Sequence, residues 1–302
     1  MKKWSGSLML LLGAMIWGSA FVAQSIGMAY IGPITFQAIR SMLGVLALLP
    51  VIALRSRRTK KEQVKVPGNT RTLLLGGLLC GVVLFMAATL QQMALVHVTA
   101  GKAGFLTTIY ILIVPILGLL LGRRVPRLLW GCVLLALVGM YLLSVTEAFT
   151  ITVPDLYLIG CSVIFAVHIL LVDHFSPRVD GVKLSCLQFL VAGTLATIGM
   201  LLFEQPDPSA ILSAWMPLVY VGVFSSGVAY TLQIMGQRST SPALASLIMS
   251  LESVFAMLAG IVVLGQIPSG RELLGSALMF LAITLAQLVQ MPRPLETGDK
   301  TA

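Results

Sequence analysis

Residues 89–126, TLQQMALVHVTAGKAGFLTTIYILIVPILGLLLGRRVP, align without a gap on residues 231–268, TLQIMGQRSTSPALASLIMSLESVFAMLAGIVVLGQIP, at an offset of 142. Seven of the 38 positions are identical (Thr89, Leu90, Gln91, Met93, Ala103, Gly118 and Pro126). That total is little above chance in so apolar a chain, but four of the seven cluster where TLQQM meets TLQIM. A second offset, 148, sets Trp17 against Phe165, Phe21 against Ile169 and Arg40 against Gln188. Self-similarity at a fixed long period is the mark of a duplicated architecture, and what each copy is then depends on its solvent.

The solvent is lipid. Across 302 residues the chain is 58% hydrophobic and 10% charged, with a mean hydropathy of +0.98, far from the range of soluble domains. An apolar stretch of about 17 to 25 residues crosses the hydrocarbon core as a helix. Ten such stretches occur, at 5–26, 33–54, 72–93, 100–121, 128–145, 154–173, 184–203, 214–235, 242–263 and 272–290. The basic, then apolar, opening MKKWSGSLMLLLGAMIWGSA has the shape of a signal peptide, but nine further spans favour a retained first helix. The longest polar segment, 55–71, is too short to bury a core of its own.

Each copy therefore holds five spans, and because five is odd the second copy enters the membrane in the opposite direction. The expected fold class is an all-α integral membrane protein, with ten transmembrane helices as an inverted repeat of five plus five. The first repeat is expected at 1–147, the second at 148–291 and a short cytoplasmic tail at 292–302. Two inverted halves can exchange conformations and open a site at mid-membrane first to one side and then to the other.

Charge placement orients the chain, since cytoplasmic loops hold most Lys and Arg. With the N-terminus inside, inner segments carry 17 of the 20 basic residues, leaving Lys102 and Arg271 outside and Arg40 within a span. Both termini are expected in the cytoplasm, with the protein in the plasma or inner cell membrane. The net charge of +9 and the run RSRRTKKEQVK at 55–65 do not point to nucleic acid, because a short loop beside a membrane meets anionic headgroups instead. Cys80, Cys132, Cys161 and Cys186 all fall within spans, with neither metal nor disulfide spacing, and read as small apolar fillers. No metal or cofactor motif is present. The expected partners are a small-molecule substrate and the lipid bilayer, and a homodimer is allowed but not indicated.

Polar residues inside the spans are the candidates for function. A charge at mid-bilayer costs about 2.5 to 3.5 kcal/mol on insertion scales and turns toward protein or water. Glu252 shares a helix face with Ala245, Met249, Ala256 and Ala259, and Arg40 with Gln37, Gly44 and Ala47, faces suited to a helix contact or a cavity wall. At about 1.5 Å per residue, Arg40 lies roughly 10 Å below the outer edge and Glu252 roughly 15 Å above the inner one, within about 5 Å of one level. An ion pair forms if their helices face each other. One reading makes Glu252 a proton or cation site, or a partner for substrate, with Arg40 as counter-ion or anion-binding group. The other makes both structural. Trp17, Gln37, Arg40, Gln92, Tyr110, His168, Gln188, Tyr230, Gln233 and Glu252 are the candidates for a substrate-binding cavity, and Glu252 is the candidate for proton coupling. Gln24 and Gln91 are also polar within spans. Lys102 at the mouth of the fourth span is expected to snorkel, and Pro115 to bend that span.

GAMIWGSAFVAQ (13–24), IGPITFQAIRSMLG (31–44) and SLESVFAMLAGIVVLGQ (250–266) resemble the first, second and ninth helices of EamA-type carriers of the drug/metabolite transporter superfamily. Ser253 departs from the proline that often follows the glutamate, and Gln266 from the usual glutamate. The resemblance implies a ten-helix carrier of small metabolites, often amino acids or related compounds and often outward. No Walker A sequence is present, so transport is expected to be secondary. Two other classes are the alternatives. His168 and Asp173 have the H-x4-D spacing of some membrane-embedded acyltransferases, but five helical residues turn the two side chains about 140° apart. A non-transporting receptor or scaffold would lack any soluble signalling domain.

Overall fold

The computed structural model describes residues 2–62, 69–144, 151–265 and 267–289. The expected repeat boundary at 147–148, Gln266 and the expected tail 292–302 lie outside the described residues. All regular structure among the described residues is helical, and ten helices are long and apolar enough to cross a membrane. They are Ser5–Gly27, Pro33–Arg57, Thr70–Leu95, Ala100–Leu120, Arg127–Ser144, Val153–Phe175, Gly181–Phe203, Trp215–Gln237, Pro242–Val263 and Gly270–Leu288, called spans 1 to 10 below. The second helix continues past its apolar stretch to Glu62, through Arg and Lys that are good helix formers.

Local chemistry starts the helices. Asn69, Thr99, Asp180 and Ser241 each accept a hydrogen bond from a first-turn amide of the helix that follows. Span 2 begins at Gly32-Pro33 with no such residue, and its cap comes from the end of span 7. There the Glu204 carboxylate accepts from the Ile34 and Thr35 amides at 3.0 and 2.8 Å. A Cβ on Gly32 would lie 2.4 Å from that carboxylate, so glycine is what lets the cap approach.

The packing is the reverse of a soluble protein's. Large apolar side chains such as Leu46, Leu74, Leu120, Leu202 and Phe203 face outward, whereas buried positions are rich in Ala, Ser and Gln. Small residues bring backbones together where hydrocarbon supplies no drive to associate. Span 5 packs on span 10 through Gly139 and Gly275, each of whose added Cβ would meet the other's carbonyl oxygen, at 2.7 and 2.5 Å. Span 2 packs on 7, 3 on 6, 1 on 8, 3 on 7, 2 on 8, 4 on 6, 1 on 9, and 4 on 9. Each of these pairings either maps onto itself or has its counterpart five spans further along.

Three spans are interrupted. Span 4 is two rods, Ala100–Thr108 and Tyr110–Leu120, joined at Ile109. Span 9 is likewise Pro242–Met249 and Glu252–Leu264, joined through Ser250 and Leu251. The break in span 4 thus precedes Pro115 by six residues, and Pro115 sits within an unbroken rod. A hydroxyl explains the position better. The Thr108 side chain donates to Gly104 O at 2.7 Å and the Ser250 side chain to Leu247 O at 2.7 Å, competing for carbonyls just before each break. Thr108 and Ser250 are equivalent at the 142 offset. The third interruption, unforeseen from sequence, is a π-helix over Val221–Ala229 in span 8, where the Tyr230 amide donates to Ser225 O.

Candidate functional site

At mid-length of the spans lies a cavity of about 50 Å³, room for a few water molecules. Seven of the ten sequence candidates line it: Trp17, Arg40, Tyr110, His168, Tyr230, Gln233 and Glu252. Gln37, Gln92 and Gln188 do not; they stand behind the wall and hold lining residues. Gln37 Oε1 accepts from Arg40 Nε at 2.6 Å, Gln92 donates to Gln24 Oε1, and Gln188 Oε1 meets His168 Nε2 at 3.1 Å. Phe21, Gln24, Gln91, Thr107, Phe165, Ile169, Ser225 and Met249 complete the lining.

The repeat offsets carry a signal for several of these that reading residues singly misses. Trp17 and Phe165, Phe21 and Ile169, Gln91 and Gln233, Thr107 and Met249, and Tyr110 and Glu252 are equivalent pairs at 148 or 142, and both members of every pair line the cavity. Tyr110 and Glu252 also touch, the phenol donating to Glu252 Oε1 at 3.3 Å from just beyond the break in span 4 to just beyond the break in span 9.

Arg40 and Glu252 share the cavity but form no ion pair with each other; the ion pairs among the described residues are Lys102–Asp155 and Arg123–Asp173. Arg40 is instead held by neutral amides, giving Nε to Gln37 and Nη1 to Gln24 Oε1 at 3.2 Å. Its Gln37 partner sits one turn back on the same helix, so span 2 presents the guanidinium already oriented. Lys102 does not merely snorkel, since its ammonium reaches the fully buried Asp155 at 2.8 Å.

Tyr230, one residue past the π-helix, packs edge-on against Trp17, Phe189 and His168, with centroids at 4.9, 5.1 and 6.1 Å. The wider turn of the π-helix displaces that ring relative to an uninterrupted α-helix. Trp17 Nε1, His168 Nδ1 and Gln233 Oε1 are buried at the cavity without a protein partner. An unsatisfied buried polar atom costs about 1–3 kcal/mol, so water or ligand is expected to meet these three. His168 and Asp173 of the H-x4-D spacing have separate partners: His168 bonds Gln188 and Asp173 pairs with Arg123 at 2.6 Å. All four cysteines are buried and free, as apolar fillers would be.

Ten spans around a cavity lined by a cation and an acid have the build of a multi-pass membrane transporter. The EamA-like transporter family model matches this chain twice, over residues 4–145 and 152–288, and the chain belongs to that family. An uncharacterized transporter of Archaeoglobus fulgidus is 30% identical over 293 residues, covering 95% of this chain and 87% of that protein. A solved crystal structure superposes with a TM-score of 0.78 at 20% identity, covering 95% of this chain and 98% of that one, which shows the shared fold.

Proposed function

We propose that the chain is a secondary transporter of small metabolites, exporting amino acids or related zwitterions by alternating access, with Glu252 as the proton-coupling group. The observation that carries this is that Arg40 and Glu252 line one cavity without pairing with each other. Each is held by neutral partners, so a cation and an acid are both offered to a ligand and neither is consumed by the other. Arg40 with Trp17 Nε1 suits a carboxylate, and Glu252 with Gln233 Oε1 suits an ammonium, while Phe165 and Tyr230 supply apolar wall.

Two inverted halves supply the motion. Support comes from the family model's two matched segments, the helix pairings that recur five spans on, and the five repeat-related pairs in the lining. A room of about 50 Å³ is far below the roughly 300 Å³ of a typical ligand site, so substrate enters only when spans move apart. The charge bias supports cytoplasmic termini, with the protein in the cell membrane. The test is reconstitution into liposomes with labelled amino acids and related metabolites under an imposed pH gradient. Gradient-stimulated movement of a zwitterion is expected, and uptake of none of the panel, or uptake indifferent to pH, would remove the substrate or the coupling half of the reading.

A further inference from the structure

Outside the cavity, the two ion pairs share a geometry that a static fold does not require. Both tie span 4 to span 6, and they do so at opposite ends. Asp155 lies in the first turn of span 6 and Asp173 in its last, 18 residues and about 27 Å of helix rise apart. Between them span 4 is divided at Ile109, so each rod has one tethered tip: Lys102 in Ala100–Thr108, and Arg123 just past Tyr110–Leu120. We propose that Lys102–Asp155 and Arg123–Asp173 are opposed latches, each holding one rod of span 4 closed over one end of the route to the central cavity. Release of one without the other sets the side to which the cavity opens. This rests on the alternating-access reading above.

A Cβ added at Gly101 or Gly122 would have nothing within 4 Å, and one at Gly118 only Arg123 Cδ at 3.9 Å. At the Arg123 end a vestibule of about 320 Å³ already lies beside the second rod, lined by Val114, Gly118 and Arg123 and by Ser241 and Ala243 at the start of span 9. Val114 of its wall is one turn from Tyr110 of the central cavity, and Leu170 adjoins Ile169. About 6 Å of helix therefore separates the two spaces, and the rod whose tip Arg123 tethers is part of that barrier.

Asp155 is built to stay in place when its cation leaves. Asp155 also accepts from the Thr152 amide and hydroxyl at 2.7 and 2.8 Å. The repeat-equivalent half has no such latches: Leu244 and Gly265 stand 142 residues after Lys102 and Arg123, and Ser7 and Ser25 stand 148 before Asp155 and Asp173. Span 9 instead meets span 1 through close backbone contact at Gly18. Span 4 is thus the arm that ionic contacts control.

The test uses the full chain in liposomes, with its four cysteines replaced and Thr107→Cys as a reporter in the cavity, labelled by a membrane-impermeant thiol reagent from either side. Arg123→Gln should speed labelling from the side of residues 121–126, and Lys102→Gln from the opposite side. Arg123–Asp173 is the more exposed pair, and such pairs measure about 0.2–1 kcal/mol, so its release should speed labelling at most about fivefold, whereas release of Lys102, whose partner acid is buried, should have the larger effect. The swap Arg123→Asp/Asp173→Arg should return the rate to the parent value, and Arg123→Lys should leave it there. Acceleration from both sides equally, no acceleration, or no rescue by the swap would overturn the proposal. Labelling needs no substrate, so failure of the transport assay with side-specific labelling intact counts against the transport reading alone.

Discussion

Gly18→Ala is expected to damage this protein through a single methyl group. Gly18 sits in span 1 beside Trp17, and an added Cβ would fall 2.6 Å from both the carbonyl oxygen of Glu252 and the amide of Ala256, and 2.5 Å from Phe255 Cβ. Real Cβ atoms essentially never approach closer than 3.0 Å and mostly stay beyond 3.4 Å, and backbone atoms cannot swing aside as a side-chain tip can. Spans 1 and 9 must therefore separate by most of an ångström. Overpacking of this kind costs typically 1–3 kcal/mol, and the rigid neighbours place Gly18 in the upper part of that range. Alanine returns up to about 1 kcal/mol as the better helix former, leaving a net loss of about 1–2 kcal/mol. Gly13 on the same helix supplies the control. Its added Cβ would meet only Ala229 O at 3.5 Å, an ordinary contact, so Gly13→Ala should be neutral or stabilising by up to about 1 kcal/mol. Thermal unfolding of the purified variants in one detergent reads the difference, and transport should fall with Gly18→Ala because the shift carries Glu252 with it. Equal stability of the two variants would refute the packing argument.

Glu252→Gln should express and assemble normally but lose pH-driven flux in liposomes, because glutamine keeps the Tyr110 contact yet cannot exchange a proton; full gradient-driven transport would make the residue structural. Gln37→Leu removes the acceptor 2.6 Å from Arg40 Nε and should cost about 1.5–3 kcal/mol in thermal unfolding, more than the same change at a lipid-facing position. Single cysteines near residues 60, 124 and 178 should label from the cytoplasmic side and one near 206 from outside; external labelling near 60 would overturn the inverted arrangement.

The ten spans were legible because each must satisfy its backbone within itself and face hydrocarbon, and a one-dimensional apolar run of sufficient length meets both demands. Arg40 and Glu252 were legible as site candidates for the same reason, since charge at that depth has few places to go. Their mutual relation was not. Depth along each helix follows from counting residues, but whether two faces meet depends on the rotation and crossing of helices far apart in sequence. The amides of Gln24 and Gln37 took the guanidinium that Glu252 was expected to meet. Asp155 stands at a helix start, where an acid is ordinarily a cap, so its position alone carries no sign of an ion pair. Its bond to Lys102 appears only when spans 4 and 6 lie together.

By itself, then, the amino-acid sequence determined the solvent, the count of spans and the family, all of which depend on composition and local pattern. The offsets 142 and 148 also held the equivalence of Tyr110 with Glu252 and of Trp17 with Phe165. Only the tertiary structure decided that these equivalent residues meet around one cavity, that Ser250 and Thr108 mark the breaks in spans 9 and 4, and that a π-helix sets Tyr230 against Trp17. The reason is physical. Insertion into lipid is a sum over each segment's own residues, whereas packing between helices depends on close contacts between small residues and polar atoms whose partners no single segment contains.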